Sequence, residues 1–307
     1  MRIPNSISFP INEKSLKPMI AVENFERLID RTLEEKAYVG EYLCLLREKS
    51  MVTYNHSVNT ALQMYAYWEM RSEFPRVKEM VEKYSIAALL HDVGKLTTPD
   101  YILHSKENFR DLPFEEGNRR MAIMNRHSID GLSIAKKFGF SKEETGVSIA
   151  HHVDDSVLKA APKNRFVGAD QSRDSWPQQY GDGTVADLLW RELGWVTPED
   201  IKMIVEVSFF DVVEALRATD RAYSGCKALE WEAPTFGLSQ SVYSIARMNV
   251  ACQKMDRSFL ARIESEEFRR NFDFFENCGE PTRIGEMLND RVIQYDYIDD
   301  DKHILDR

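Results

Sequence analysis

YSIAALLHDVGK, residues 84–95, is the stretch that decides the fold of this chain. A run of apolar and small side chains ends in His91-Asp92, and Gly94 follows. The pattern predicts a buried helix over Tyr84–Asp92, with Gly94 as its natural stop. Asp92 is the unusual member. An unpaired carboxylate at the end of an apolar run is costly, and metal coordination would remove that cost.

Working outward, five of the seven histidines fall in one order: His56, His91 beside Asp92, His127, then the adjacent pair His151 and His152. Asp211 follows on a later helical stretch. Singly, each has an ordinary reading as a half-buried side chain. Together they come from four separate predicted helices, and that ordered set is what favours metal. Imidazoles with carboxylates suit iron or manganese, then zinc, and disfavour calcium. The four cysteines, Cys44, Cys226, Cys252 and Cys278, have no paired spacing and read as reduced thiols.

The surrounding text reads as helices. Apolar residues recur at three and four over Phe25–Arg47, and again over His56–Met70. Arg119–Phe138 reads as one helix closed by Gly139. Ser141 caps the next, with Glu144 at capping-box spacing. Residues 154–183 hold Pro162, Gly168, Pro177, Gly181 and Gly183 and read as a long irregular insertion. There Arg165, Arg173, Trp176 and Tyr180 could clamp a base and phosphate, though packing of the loop itself carries more weight. Helical pattern resumes at Val185–Leu193. Thr197-Pro198 then starts a long helix through Asp211, and Ser239–Ile263 reads as a further one.

The expectation is therefore an all-α chain: a helical domain over residues 1–265 with the insertion at about 154–183, then a strap and acidic tail over 266–307. With 43% hydrophobic and 29% charged residues the composition suits a folded, soluble protein. No run of ~18 apolar residues exists, and the N-terminus lacks a signal-peptide pattern. A cytoplasmic protein with no membrane partner is expected. The net charge of −10 argues against long nucleic acid as partner. The oligomeric state is open between monomer and homodimer.

The order H…HD…H…HH…D resembles the HD-domain metal-dependent phosphohydrolase superfamily. More narrowly it resembles the HD-GYP branch, which cleaves cyclic di-GMP. The matching text is YNHSVNTALQM, AALLHDVGKLTTPDYIL, NRHSIDGLSIAKKFG, VSIAHHVDD and FFDVVEALRATDRAYS. The resemblance spans about Thr53 to Ser224 and implies an HD-type helical bundle with two metals sharing Asp92. His56, His91, Asp92 and Asp211 would hold one ion. Asp92, His127, His151 and His152 would hold the other. Lys95 and Arg221 would contact the substrate phosphate, with Asp92 and Lys95 counted as catalytic.

Three departures stand out. VDDSVLKAAPKNRF replaces the Gly-Tyr-Pro segment after the histidine pair. Val52 stands where some members have a third-metal glutamate. Ser224 stands where a second phosphate-binding lysine is expected, with Lys227 nearby.

Two ions bridged by one carboxylate suit in-line displacement at a phosphodiester. The expected activity is therefore phosphodiesterase cleavage of a cyclic dinucleotide, cyclic di-GMP or a related compound, or of another small nucleotide, by an activated water. Two other functions share the ligand order: a di-iron oxygenase, and a non-catalytic metal-binding signalling module.

Overall fold

In a computed structural model of the protein, residues 13–69, 75–107, 109–152 and 198–217 are described. Every regular element among them is helical. They are α1 (Glu13–Glu35), α2 (Ala37–Lys49), α3 (Met51–Glu69), α4 (Pro75–Leu89), α5 (Asp100–Leu103), α6 (Phe114–Asn125), α7 (His127–Phe138), α8 (Lys142–Ala150) and α9 (Pro198–Arg217). Two 3-10 turns, Val93–Thr97 and Phe109–Asp111, complete the set. The all-α expectation holds. The insertion at 154–183, Arg221, the helices expected at Val185–Leu193 and Ser239–Ile263, and the strap and tail over 266–307 lie outside the described residues.

α3 is the central element. Every residue from His56 to Tyr67 is buried, and α1, α2, α4 and α9 all pack on it. A helix apolar on one stripe alone could not meet four neighbours, and here Ser57, Thr60 and Gln63 are enclosed together with Val58, Leu62 and Tyr65. Among the described residues, Tyr42, Tyr54, Tyr65, Tyr84, Phe25 and Phe209 are the bulkiest fully enclosed side chains. Each contributes ~1.5–3 kcal/mol relative to exposure.

Several boundaries differ from the sequence expectation, for identifiable reasons. The helix expected over Phe25–Arg47 breaks at Lys36, whose φ of −131° and ψ of 79° leave the helical region. Lys36 Nζ reaches Glu144 Oε1 at 2.7 Å, and the Tyr38 hydroxyl donates to Glu144 Oε2 at 2.7 Å. This tertiary anchor interrupts a pattern whose periodicity runs on across the gap. α3 begins at Met51 rather than His56, because the Ser50 hydroxyl accepts from the Thr53 amide at 3.2 Å.

The helix expected over Tyr84–Asp92 starts earlier, at Pro75, and ends at Leu89. Beyond it the backbone tightens: the amides of His91, Val93 and Lys95 bond three residues back, to Ala88, Leu90 and Asp92. Gly94 is not a helix stop. A Cβ there would lie 1.7 Å from the His127 carbonyl oxygen, so glycine is required for close approach of two backbones.

The single helix expected over Arg119–Phe138 is two, α6 and α7, meeting at Arg126. No glycine or proline marks this junction. It places His127 at the first turn of α7, where its carbonyl meets Gly94. Gly139 closes α7 at φ 70°. Ser141 and Glu144 form the expected capping box on α8, and α9 starts at Pro198 as expected.

Candidate metal centre

Five elements deliver the predicted ligands to one place. α3 carries His56, and the tightened turn after α4 carries His91 and Asp92. His127 opens α7, His151 and His152 follow α8, and Asp211 lies on α9. His56, His91, Asp92, His127, His151 and Asp211 are all buried. His152 is the exception, with 34% of its side chain exposed, so the cluster opens towards solvent beside it.

Asp92 lies between two groups of nitrogens, one at each carboxylate oxygen. Its Oδ2 is 3.3 Å from His91 Nε2 and 3.9 Å from His56 Nε2. Its Oδ1 is 3.5 Å from His127 Nε2 and 4.0 Å from His151 Nε2. Asp211 also spans the cluster. Its Oδ1 lies 2.7 Å from His56 Nε2 and 3.6 Å from His91 Nε2, and its Oδ2 lies 3.6 Å from His152 Nδ1. Two compact sets with metal-ligand spacing result, His56–His91–Asp92 and His127–His151–His152. A third overlapping set, His91–His151–Asp211, joins them.

Ring orientation tests whether these residues fit a metal. His91 Nδ1 lies 2.7 Å from the Ala88 carbonyl, His127 Nδ1 2.6 Å from that of Met124, and His151 Nδ1 3.0 Å from that of Val147. A carbonyl only accepts, so each Nδ1 carries the proton and each Nε2 is turned inwards, as a lone pair in the neutral rings of His127 and His151. His127 Nε2 and His151 Nε2 then face one another at 3.3 Å. Two lone pairs at that distance repel, and a cation between them relieves the repulsion. His91 Nε2 and Asp92 Oδ1, both buried, make no well-aligned hydrogen bond. The donor set fits a divalent metal.

Titration follows the same geometry. Burial opposes a charge on His91, but Asp92 and Asp211 outweigh it and push its pKa up to about 10. Burial lowers His127 to about 3 and holds His151 well below its ordinary value. Both carboxyls are held well below the usual range. Burial alone would raise them, but Lys95 and His91 outweigh it at Asp92, and His56 and His91 do so at Asp211.

Lys95 is no solvated surface lysine. Only 7% of it is exposed, and its ammonium lies 2.5 Å from Asp92 Oδ2. The 3-10 turn explains this, since residues three apart eclipse one another in that geometry. Glu214 accepts from two α3 side chains, Asn59 and Gln63. The sequence signal was a Glu one turn after Asp211, which alone says nothing of its partners. Val52, one turn before His56, is 41% exposed at the start of α3 and offers no ligand atom.

The family model for the HD domain matches residues 53–185. Six of the seven clustered residues fall within that span, and Asp211 lies beyond it. No curated protein and no solved structure matches the chain. The match supports an HD domain over that span. None of the described helices is long and apolar enough to cross a membrane.

Proposed function

We propose, taking as premise an HD domain whose buried histidines and aspartates are disposed for metal, that this protein is a metal-dependent phosphodiesterase. Its substrate would be a small nucleotide, with cyclic di-GMP or a related cyclic dinucleotide first in order. One observation carries the reading: the two oxygens of Asp92 address two different groups of imidazole nitrogens. A carboxylate so placed is disposed to bridge two ions. The HDVGK segment and the adjacent histidine pair support the HD-GYP-like branch, and the net charge of −10 supports a small substrate over a long nucleic acid.

His56, His91, Asp92 and Asp211 would hold one ion, and Asp92, His127, His151 and His152 the other, iron or manganese before zinc. Two such ions, when bound, supply an activated water and neutralise phosphoryl charge. The protein's own part is orientation. The carbonyls of Ala88, Met124 and Val147 fix three rings with Nε2 inwards. Lys95, on the Oδ2 side of Asp92, steadies the shared carboxylate and is the described cation nearest a phosphate bound over it. Arg221 would contribute a second. The opening beside His152 is the way in for a substrate.

The test is metal analysis of protein purified without chelator, combined with a screen of cyclic di-GMP, linear dinucleotides and long RNA. Two ions per chain with cleavage of the dinucleotides is the expected result. Cleavage of long RNA alone would overturn the substrate assignment. Oxygen uptake without ester cleavage would point to the oxygenase instead, and a chain that binds no metal would overturn both enzyme readings.

A further inference from the structure

One helical turn along from the His56–Asp211 contact, the same two helices meet through a second buried polar group. Glu214 Oε1 accepts from Asn59 Nδ2 at 3.0 Å, and Glu214 Oε2 accepts from Gln63 Nε2 at 2.6 Å. All three side chains are buried. The spacing is regular. Asn59 and Gln63 follow His56 on one face of α3, and Glu214 follows Asp211 by three residues on α9.

As a source of stability this arrangement is poor. It encloses a carboxylate, where aliphatic side chains would pack without desolvating a charge. What it supplies is direction. Two donors on one helix, each on a separate oxygen of one carboxylate, resist rotation of α9 about its axis. The side-chain envelope of a helix has a radius of about 5–6 Å, so a rotation of about 20° would move Asp211 by about 2 Å. That is enough to take it off His56, which it meets at 2.7 Å.

We infer that Glu214, clamped by Asn59 and Gln63, is a positioning residue that sets the rotation of α9 and so aims Asp211 at His56 and His91. The inference rests on the two-ion reading above. It assigns Glu214 a role through Asp211 rather than as a ligand, its two oxygens being addressed by Asn59 and Gln63. The loss of Glu214 would act mainly on the ion at His56, His91 and Asp211, since Asp211 meets His56 at 2.7 Å, and less on the one at His127, His151 and His152, where it stands 3.6 Å from His152.

The experiment uses cobalt(II) as probe on the full chain, counting bound ions by equilibrium dialysis and following the cobalt absorption spectrum. Glu214→Gln preserves shape but sets an amide against an amide. It should weaken one ion at least tenfold and the other by a much smaller factor. Trp68→Phe serves as the control: it removes a different α3–α9 contact, Trp68 Nε1 to Glu206 Oε2 at 3.2 Å. It should lower the melting temperature yet keep both ions, separating aim from mere adhesion. The double variant Gln63→Glu with Glu214→Gln reverses donor and acceptor and should recover the lost ion. A parent that binds two ions, with Glu214→Gln indistinguishable from it, overturns this inference alone. Equal loss of an ion in Trp68→Phe would likewise reduce the contact to helix adhesion and overturn it. A parent that binds no cobalt overturns this and the two-ion reading together.

Discussion

The two halves of the centre differ in charge and in access. The inner half, around His56, His91 and Asp211, is buried throughout and has two carboxylates at hand. The outer half, around His127, His151 and His152, is built from imidazoles, meets Asp92 Oδ1 at His127 and Asp211 Oδ2 at His152, and reaches solvent at His152. An ion in the inner half would be held by charge and by enclosure. An ion in the outer half would be held by neutral nitrogens beside the opening. The inner ion is therefore expected to be the tighter and the outer one the more exchangeable, with Asp92 lying between the two groups of rings.

The comparison can be broken most severely at Asp92. Asp92→Ala should remove both ions and lower kcat/KM by about 1,000-fold or more, since several kcal/mol of charge stabilisation are lost. His151→Ala should weaken mainly the outer ion. Metal counting on the two variants side by side checks this, and retention of both ions by Asp92→Ala would end the idea of a shared carboxylate.

Lys95 comes next in size. Lys95→Ala should lower kcat/KM by ~2–4 kcal/mol of transition-state stabilisation, on the scale of a preorganised electrostatic group, with ion content unchanged. Arg221→Ala is expected to behave alike from its place in the sequence. Steady-state kinetics and metal analysis on the same samples decide it. Turnover equal to the parent in both variants would leave the metals as the working part of the site.

Gly94→Ala probes the outer half through its scaffold. The new Cβ would meet the His127 carbonyl at 1.7 Å, so α7 must shift. The expected cost is ~1–3 kcal/mol or more of stability, with preferential loss of the outer ion. Urea unfolding and metal titration read the two effects separately.

The smallest effect per step is in pH. His127 and His151 are buried with depressed pKa values, so below ~6.5 the unfolded chain takes up protons that the folded one refuses. Stability of the metal-free protein should fall there by about 1.4 kcal/mol per pH unit for each proton. Asp92 and Asp211, also depressed, add a loss below ~4. His91 acts in the opposite sense. Its pKa of about 10 stabilises the fold fully below ~6.5, and that contribution is lost as pH rises through its folded value. Thermal melts of metal-free protein should peak near neutrality and fall more steeply on the acid side. An acid limb no steeper than the alkaline one would show that the outer imidazoles are not buried in neutral form.

The sequence by itself determined the helical class and the ligand order. Both are local or ordinal properties: apolar spacing marks helices, Ser141 with Glu144 marks a helix start, Gly139 marks an end, and a His-Asp dipeptide after an apolar run marks a costly carboxylate. It also singled out Lys95, though not its burial. Tertiary structure decided what depends on two segments meeting. The breaks at Lys36 and Arg126 carry no breaker residue, because Glu144 and the Gly94–His127 approach impose them from outside the helix. Gly94 looked like a stop and is a contact surface. The split of Asp92 between His56 on one side and His127 and His151 on the other, and the clamp of Glu214 by Asn59 and Gln63, join residues more than thirty positions apart. Linear spacing holds no record of such distances, since only the packing of α3, α7, α8 and α9 around one turn sets them.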